Sequence, residues 1–483
     1  MYNDLRHFLK VLTGQGEIVQ VSRQVSIVQE IGDICRRVSD MEGPALLFTN
    51  LAGYPGWSLC ANAVGTLRRT ALAIESTVEA MVAEYARRIE GGKLLPSVTV
   101  PAHAAPCKEV ILRDVDLTKL PIPTWHLKDG GPYISFGVQI SKDPDSGVPN
   151  ASIVRQMVLG PKRLGILLLP GKHTMIHFEK QRQRGRDLEL AAAIGVEPTV
   201  TAAALHSGSL DEDEFAVCGA LRGQPLEMVR CETIDVEVPA HAELVIEGRL
   251  LHNETAAEGP FGEFTGYYTK RTDTNPAMEV TCITHRRNPI FQGTYEGKPP
   301  NEDNIFHILP YSASVYAEAS RLCPNLVSFA FDPYGSGFIY AVAAIDKLYP
   351  GHAHHAMHAV WATQSGKYIK VLIVVDKDIN IFDHRAVTWA IATRFQPGRD
   401  LVLDPRGIGS QLDPAAWPKS GIGGSMGIDA TQKWEQEGGP PKGSEQELIS
   451  HAASPFWREI ERLGLGSYLG VDLSRWQGRR VGM

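Results

Sequence analysis

The chain has 483 residues, 43% of them apolar and 21% charged, with a formal net charge of −7. These values describe an ordinary globular protein with length for about three domains and a sizeable core. No basic stripe with interleaved aromatics appears, which excludes the usual form of nucleic-acid partner.

Leu5, Phe8, Leu9 and Leu12 recur at helical spacing, so the chain opens with an amphipathic helix. The start, Met1–Leu12, carries Asp4 and His7 and lacks the basic and long apolar regions of a signal peptide. Glu17–Val21 reads as a strand, Ile27, Ile31, Ile34 and Val38 as a second helical stripe, and Ala45–Phe48 as a short buried strand. A third helix spans Val78–Glu90 and stops at Gly91-Gly92, and Pro96–Pro106 is a linker. From Cys107 the texture turns to short strands: Ile134–Ile140, Ala151–Leu159, Ile234–Val238, Glu243–Leu251, Met278–Thr284 and Ile290–Thr294. Arg286–Pro289 is a hairpin connection between the last two, and Asp187–Gly195 is a helical insert. This middle region reads as a β-barrel or sandwich. From Ser312 a helix leads into strands Gly337–Asp346 and Val371–Asp376, with helices His354–Gln364 and His384–Arg394 and a helical tail over Glu445–Leu463. The most apolar short run, Gly165–Pro170, is far too short to span a bilayer, so no membrane partner is expected. The seven cysteines are scattered without C-x-x-C spacing, as expected of reduced thiols in a cytoplasmic protein without structural zinc.

The chemistry gathers around Glu258-Gly-Pro-Phe-Gly-Glu263, where two carboxylates five positions apart flank residues that oppose regular structure. A loop can turn both acids into one cavity, whereas alone it also fits a Gly/Pro surface turn. Arg155 sits inside a strand pattern, where a guanidinium needs a carboxylate or an anionic ligand. Asn150 alone reads as a turn residue, His173 as a polar loop histidine and Glu214 as a solvated acid at an element start.

Together they form an ordered set. Asn150-x4-Arg155, His173, Glu214 and Glu258–Glu263, with Asp129-Gly-Gly-Pro-Tyr133, Gly297–Asp303, Val387–Ala390 and Gly427–Thr431, resemble the UbiD family of prenylated-FMN-dependent decarboxylases. The resemblance covers nearly the whole chain. It implies a prenylated flavin mononucleotide whose fourth ring bonds to the substrate and takes up the electron pair when carbon dioxide leaves. It implies Mn2+ or Mg2+ held by Asn150, His173 and Glu214 at the cofactor phosphate, often with K+. The resemblance also implies cofactor contacts from Ser152, Ile153, Arg155 and Lys172. Arg155, Glu258 and Glu263 match the family's catalytic Arg-Glu-Glu set: Glu258 orients Arg155, and Glu263 returns the proton, with a raised pKa expected. One position departs, because Ser425 stands where members commonly carry a lysine that can contact phosphate.

The expected architecture is α/β multidomain: an N-terminal α/β domain (1–106), a flavin-binding split β-barrel (107–311) and a C-terminal α/β domain (312–483) with a dimerising tail helix. The expected reaction is reversible, non-oxidative decarboxylation of an aromatic, heteroaromatic or α,β-unsaturated acid by a dimer or hexamer, with a flavin prenyltransferase supplying the cofactor. Rival readings are an FMN-dependent reductase on a split barrel and a non-catalytic assembly subunit. His352, His354, His355 and His358 read as a solvated helix face, and glycine-rich Gly421–Gly427 lacks the strand–turn–helix surroundings of a dinucleotide fingerprint.

Overall fold

Asp4 accepts a hydrogen bond from the backbone of His7 at 2.7 Å and so caps the helix Leu5–Gly14, whose Leu5, Phe8, Leu9 and Leu12 are buried. That apolar stripe belongs to a core shared with the helix Met81–Glu90. Nearby runs a four-stranded sheet in the order Ile18–Val21, Ala45–Phe48, Ser58–Ala61, Ile290–Gln292. The last strand comes from far along the chain and pairs in parallel with Ser58–Cys60. Arg286–Pro289 is therefore not a hairpin connection, because the strands it joins lie in different sheets. The computed structural model describes residues 1–90, 94–410, 412–416, 421–441 and 454–472, so the Gly91-Gly92 stop lies outside them.

The middle sheet has nine strands. Its backbone is a long antiparallel ribbon, Leu244–Glu258 against Thr272–His285, and the loop between them closes its far end. The expected helical insert is a strand, Leu188–Ile194, hydrogen-bonded on both edges, to Leu244–Leu250 and to Val138–Ile140. Its sequence, LELAAAI, has alanines that favour helix, but nearly every side chain is buried between neighbours, and tertiary pairing overrides the local preference. The sheet order runs as an open path from Tyr133–Ile134 to Pro149–Ile153, with no closed barrel among the described residues. Pro96–Pro106 is more than a linker: Val98–Thr99 pairs with Glu227–Met228, and short helical turns follow.

The helix expected from Ser312 begins earlier and spans Glu302–Leu322, so the anticipated boundary at 311 falls inside it. Asn301 caps it through the backbone of Asn304 at 3.0 Å. The buried Glu302 carboxylate accepts the backbone N–H groups of Asn62 and Val64, both at 2.9 Å, and so ties this helix to the first region. A five-stranded mixed sheet follows, in the order Leu326–Phe331, Tyr340–Ile345, Val371–Asp376, Ser425–Ala430, Leu401–Asp404. Helices His352–Trp361 and His384–Arg394 lie near their expected positions. Met1–Thr431 forms one compact unit and Gln432–Met483 a second; the latter contains the helix Pro455–Leu463, while 445–453 of the expected tail helix lie outside the described residues. No described helix is long and apolar enough to cross a membrane.

Candidate active site

Glu258 is the last residue of its strand, and Glu263 lies in the loop that follows. Gly259 adopts φ +93°, a conformation that a side chain would strain. The loop is pinned by Asp129–Tyr133: Gly130 N–H donates to Pro260 O at 2.8 Å, Gly262 N–H to Asp129 Oδ1 at 2.9 Å, and Gly259 N–H to the Tyr133 hydroxyl at 3.0 Å. A Cβ on Gly130 would stand 2.3 Å from the Gly259 carbonyl oxygen, so only glycine allows this approach.

Arg155 falls in the break between Pro149–Ile153 and Gln156–Gly160, not within a continuous strand as expected. The break lets its side chain leave the pleat and reach both acids. Nε and Nη2 donate to Glu258 at 3.0 and 3.2 Å, and Nη1 pairs with Glu263. The guanidinium also lies 4.8 Å from the Phe261 ring centroid. Burial works to lower the Arg155 pKa, but the charges of Glu263 and Glu258 outweigh it and raise it, so the group stays cationic. Glu258 is fully buried and accepts two further bonds, from the Tyr133 hydroxyl at 3.0 Å and Asn275 Nδ2 at 3.1 Å. Its oxygens are thus taken up by Arg155, Tyr133 and Asn275. Glu263, by contrast, lines a cavity of about 600 Å³ together with Arg155.

The same cavity is lined by Asn150, Ser152, Ile153, Lys172, His173 and Glu214. His173 and Glu214 each occupy the first position of a helix, His173–Gln183 and Glu214–Arg222. Asn150 sits on the adjoining strand, so three elements aim these groups at one point. His173 Nδ1 lies 3.2 Å from Asn150 Oδ1 and 3.8 Å from Glu214 Oε1. Among the described residues no group of three or more His, Cys, Asp or Glu could hold a metal; this trio has an amide as its third donor. Two oxygens and one imidazole suit a hard divalent ion. The helix His173–Gln183 has no side-chain cap, which leaves its first N–H groups for an anion.

Ser425 plays no part in this wall. Its hydroxyl donates to the Ile369 carbonyl at 2.9 Å, whereas Lys172 and Lys367 line the cavity. His354, His355 and His358 are exposed as expected, but His352 is buried, with Nε2 2.9 Å from the Pro324 carbonyl. Sequence reasoning missed a further acid, Glu296, which lines the cavity, is 8% exposed and shares a hydrogen bond with Glu263. Burial, with Asp303 and Glu263 as negative neighbours, pushes its carboxyl well above the ordinary value against the pull of Arg155. Beside it Asp303 holds His307 at 3.0 Å; burial would discharge that imidazole, but Asp303 raises it to about 9. The Gly297–Asp303 match pointed to this neighbourhood, and a lone acid beside it carried no periodic or motif signal.

Three family models match the chain in order: the 3-octaprenyl-4-hydroxybenzoate carboxy-lyase N-terminal domain over residues 9–89, the Rift-related domain over 98–299 and the C-terminal domain over 305–430. The chain belongs to the UbiD family. It is 38% identical to the UbiD-class enzyme HmfF of Pelotomaculum thermopropionicum, solved in complex with FMN, with a TM-score of 0.85 over 93% of this chain and 98% of that one. Vanillic acid decarboxylase of Sedimentibacter hydroxybenzoicus is 30% identical in its closed form, with a TM-score of 0.84 over 96% and 98%. An uncharacterized protein of Archaeoglobus fulgidus is 36% identical over 90% of this chain and 93% of its own. Members of the UbiD family are carboxy-lyases, and this chain is an enzyme of that class.

Proposed function

We propose that this UbiD-family chain catalyses reversible, non-oxidative decarboxylation of an aromatic, heteroaromatic or α,β-unsaturated carboxylic acid, with prenylated FMN and a divalent ion in the 600 Å³ cavity. The observation that carries the reading is Arg155 gripped by fully buried Glu258, with Glu263 beside it on the cavity wall. Solved relatives with FMN, and an evolved dimeric HmfF with prenylated FMN, support the cofactor. When bound, the prenylated flavin supplies the electron sink that an sp2 carbon lacks when carbon dioxide departs.

The chain's own residues do the rest. Arg155 receives the substrate carboxylate through the guanidinium edge facing the cavity and directs the bond to be broken. Glu258 keeps that edge in place, and Glu263 delivers the proton that replaces carbon dioxide. Asn150, His173 and Glu214 would hold Mn2+ or Mg2+ against the cofactor phosphate, with Lys172 and the start of helix His173–Gln183 adding positive potential. Ser152 and Ile153, which line the same cavity, would contact the flavin. K+ accompanies the divalent ion. The chain works in the cytoplasm as a dimer or hexamer, its middle domain is a split barrel between an N-terminal and a C-terminal α/β domain, and its tail helix serves dimerisation. A flavin prenyltransferase supplies the cofactor.

Coexpression with such a prenyltransferase, an absorption spectrum and a screen of aromatic acids for release of carbon dioxide test the reading. Bleaching by a nicotinamide donor without carbon dioxide would instead indicate a reductase. Absence of bound flavin would indicate an assembly subunit.

A further inference from the structure

Glu296 has no task in the chemistry above, yet it is buried on the cavity wall and hydrogen-bonded to the proton donor. Two carboxyl groups sharing a hydrogen bond in a buried site share a proton, because two adjacent negative charges there are unfavourable. The surroundings bias where that proton rests. Arg155 pairs with Glu263 and sets a positive charge against it, whereas Asp303 stands as a second negative neighbour of Glu296. From the helix Glu302–Leu322, Asp303 is paired with His307, which stacks on Tyr311 at 5.2 Å. From the loop at 126–129, His126 Nε2 meets the Glu296 carbonyl at 2.8 Å while Nδ1 lies 3.1 Å from Asp129, which fixes the backbone that carries the acid. The backbone that carries Glu296 is thus fixed, with the acid set between Glu263 and Asp303.

We infer that Glu296 is the proton store for Glu263: the shared proton rests on Glu296 in the empty site and moves to Glu263 when a substrate carboxylate takes over part of Arg155. The inference rests on the decarboxylase reading. The proton balance is closed. The Glu296 O–H bond breaks as the Glu263 O–H bond forms; after carbon dioxide leaves with the broken C–C bond, the Glu263 O–H bond breaks and its proton forms the new C–H bond. A proton from water then restores Glu296. Because Glu296 acts through Glu263, it is a positioning residue for the proton and not itself the donor.

Infrared difference spectroscopy of the FMN-loaded protein reads the proton directly. At neutral pH the wild type should show a protonated-carboxyl band that shifts when a benzoate-type acid binds, and Glu296→Gln should lack that band in the empty site. With the prenylated cofactor, Glu296→Gln should move the alkaline limb of the decarboxylation rate to lower pH, with about a tenfold loss on that limb for each pH unit moved. Glu296→Asp should restore part of the limb and keep the band, and it carries the test if Glu296→Gln does not fold. A band that survives in Glu296→Gln, or a wild-type pH profile in that variant, overturns the inference. Failure of the decarboxylase reading would look different: no carbon dioxide from any of the proteins, with the infrared arm still reporting which carboxyl holds the proton.

Discussion

Glu258 and Glu263 are both acids on Arg155, but their surroundings predict opposite consequences for the same substitution. Glu258 is fully buried and accepts four hydrogen bonds, two from Arg155 and one each from Tyr133 and Asn275. Glu258→Gln turns an amide donor toward the guanidinium and removes one of its two buried counter-charges. Removing one partner of a buried pair costs about 3–5 kcal/mol; with Glu263 still paired to Arg155, about 3 kcal/mol is expected here. That lowers the folding equilibrium constant on the order of a hundredfold and, in a unit this large, the melting temperature by roughly 3–4 °C. Glu263 lines the cavity and has no comparable set of donors, so Glu263→Gln should leave the melting temperature within about 2 °C of wild type. Its decarboxylation rate should fall roughly 10²–10⁴-fold, the range for loss of a general acid. Differential scanning calorimetry beside a carbon dioxide assay on flavin-loaded protein separates the two. The division of labour fails if Glu263→Gln turns over at the wild-type rate, or if Glu258→Gln melts with wild type.

Other positions lead to equally direct tests. Glu302 accepts two backbone N–H groups with its two oxygens, so Glu302→Gln sets an amide donor against one of them; chemical denaturation should register a loss of about 2–3 kcal/mol. His307 gains proton affinity on folding, from 6.5 to about 9. Its contribution, on the order of 3 kcal/mol, is therefore complete below pH 6.5 and fades as pH rises through about 9; a His307→Gln protein should lack that alkaline loss in a melting-temperature series. Asn150→Ala and His173→Ala should each lower flavin retention after gel filtration at least tenfold in affinity, and chelator should do the same to wild type but not to the variants. Gly130→Ala should disorder the loop, because its methyl group would collide with the Gly259 carbonyl; flavin retention with lost turnover is the expected pairing.

Helical periodicity made Leu5–Gly14 readable because a single apolar face decides it, and Val371–Asp376 because a strand buried on both faces is apolar throughout. Leu188–Ile194 was not readable: its alanines carry no alternation, and only pairing on both edges makes it a strand. The long ribbon was visible only in part, since polar residues near its far end, such as Asn253 and Thr274, hide the strand pattern where it leaves the core. Asn150, Arg155, His173, Glu214, Glu258 and Glu263 could be singled out because each keeps its place in an ordered motif, and the fold brings the first four, with Glu263, to one cavity. Glu258 stands behind that cavity, holding Arg155, a difference that spacing cannot express. Glu296 escaped notice for a related reason: its partner lies two strands back along the chain, and a buried contact of that kind leaves no trace in local composition.

The parallel strand Ile290–Gln292 has a consequence for how the chain could be cut or recombined. Its hydrogen bonds belong to the first region, yet only a few residues later the chain supplies Glu296 to the cavity and Glu302 to the Asn62–Val64 backbone. The segment is a crossing point where the first region and the catalytic wall are braced by the same stretch of backbone. A fragment beginning after residue 97 would lose the edge against which that stretch is hydrogen-bonded, and with it the footing of the acid beside Glu263. Chimaeras between relatives joined at the family-model boundary near residue 98 should therefore exchange well only when the 290–302 segment travels with its own N-terminal region.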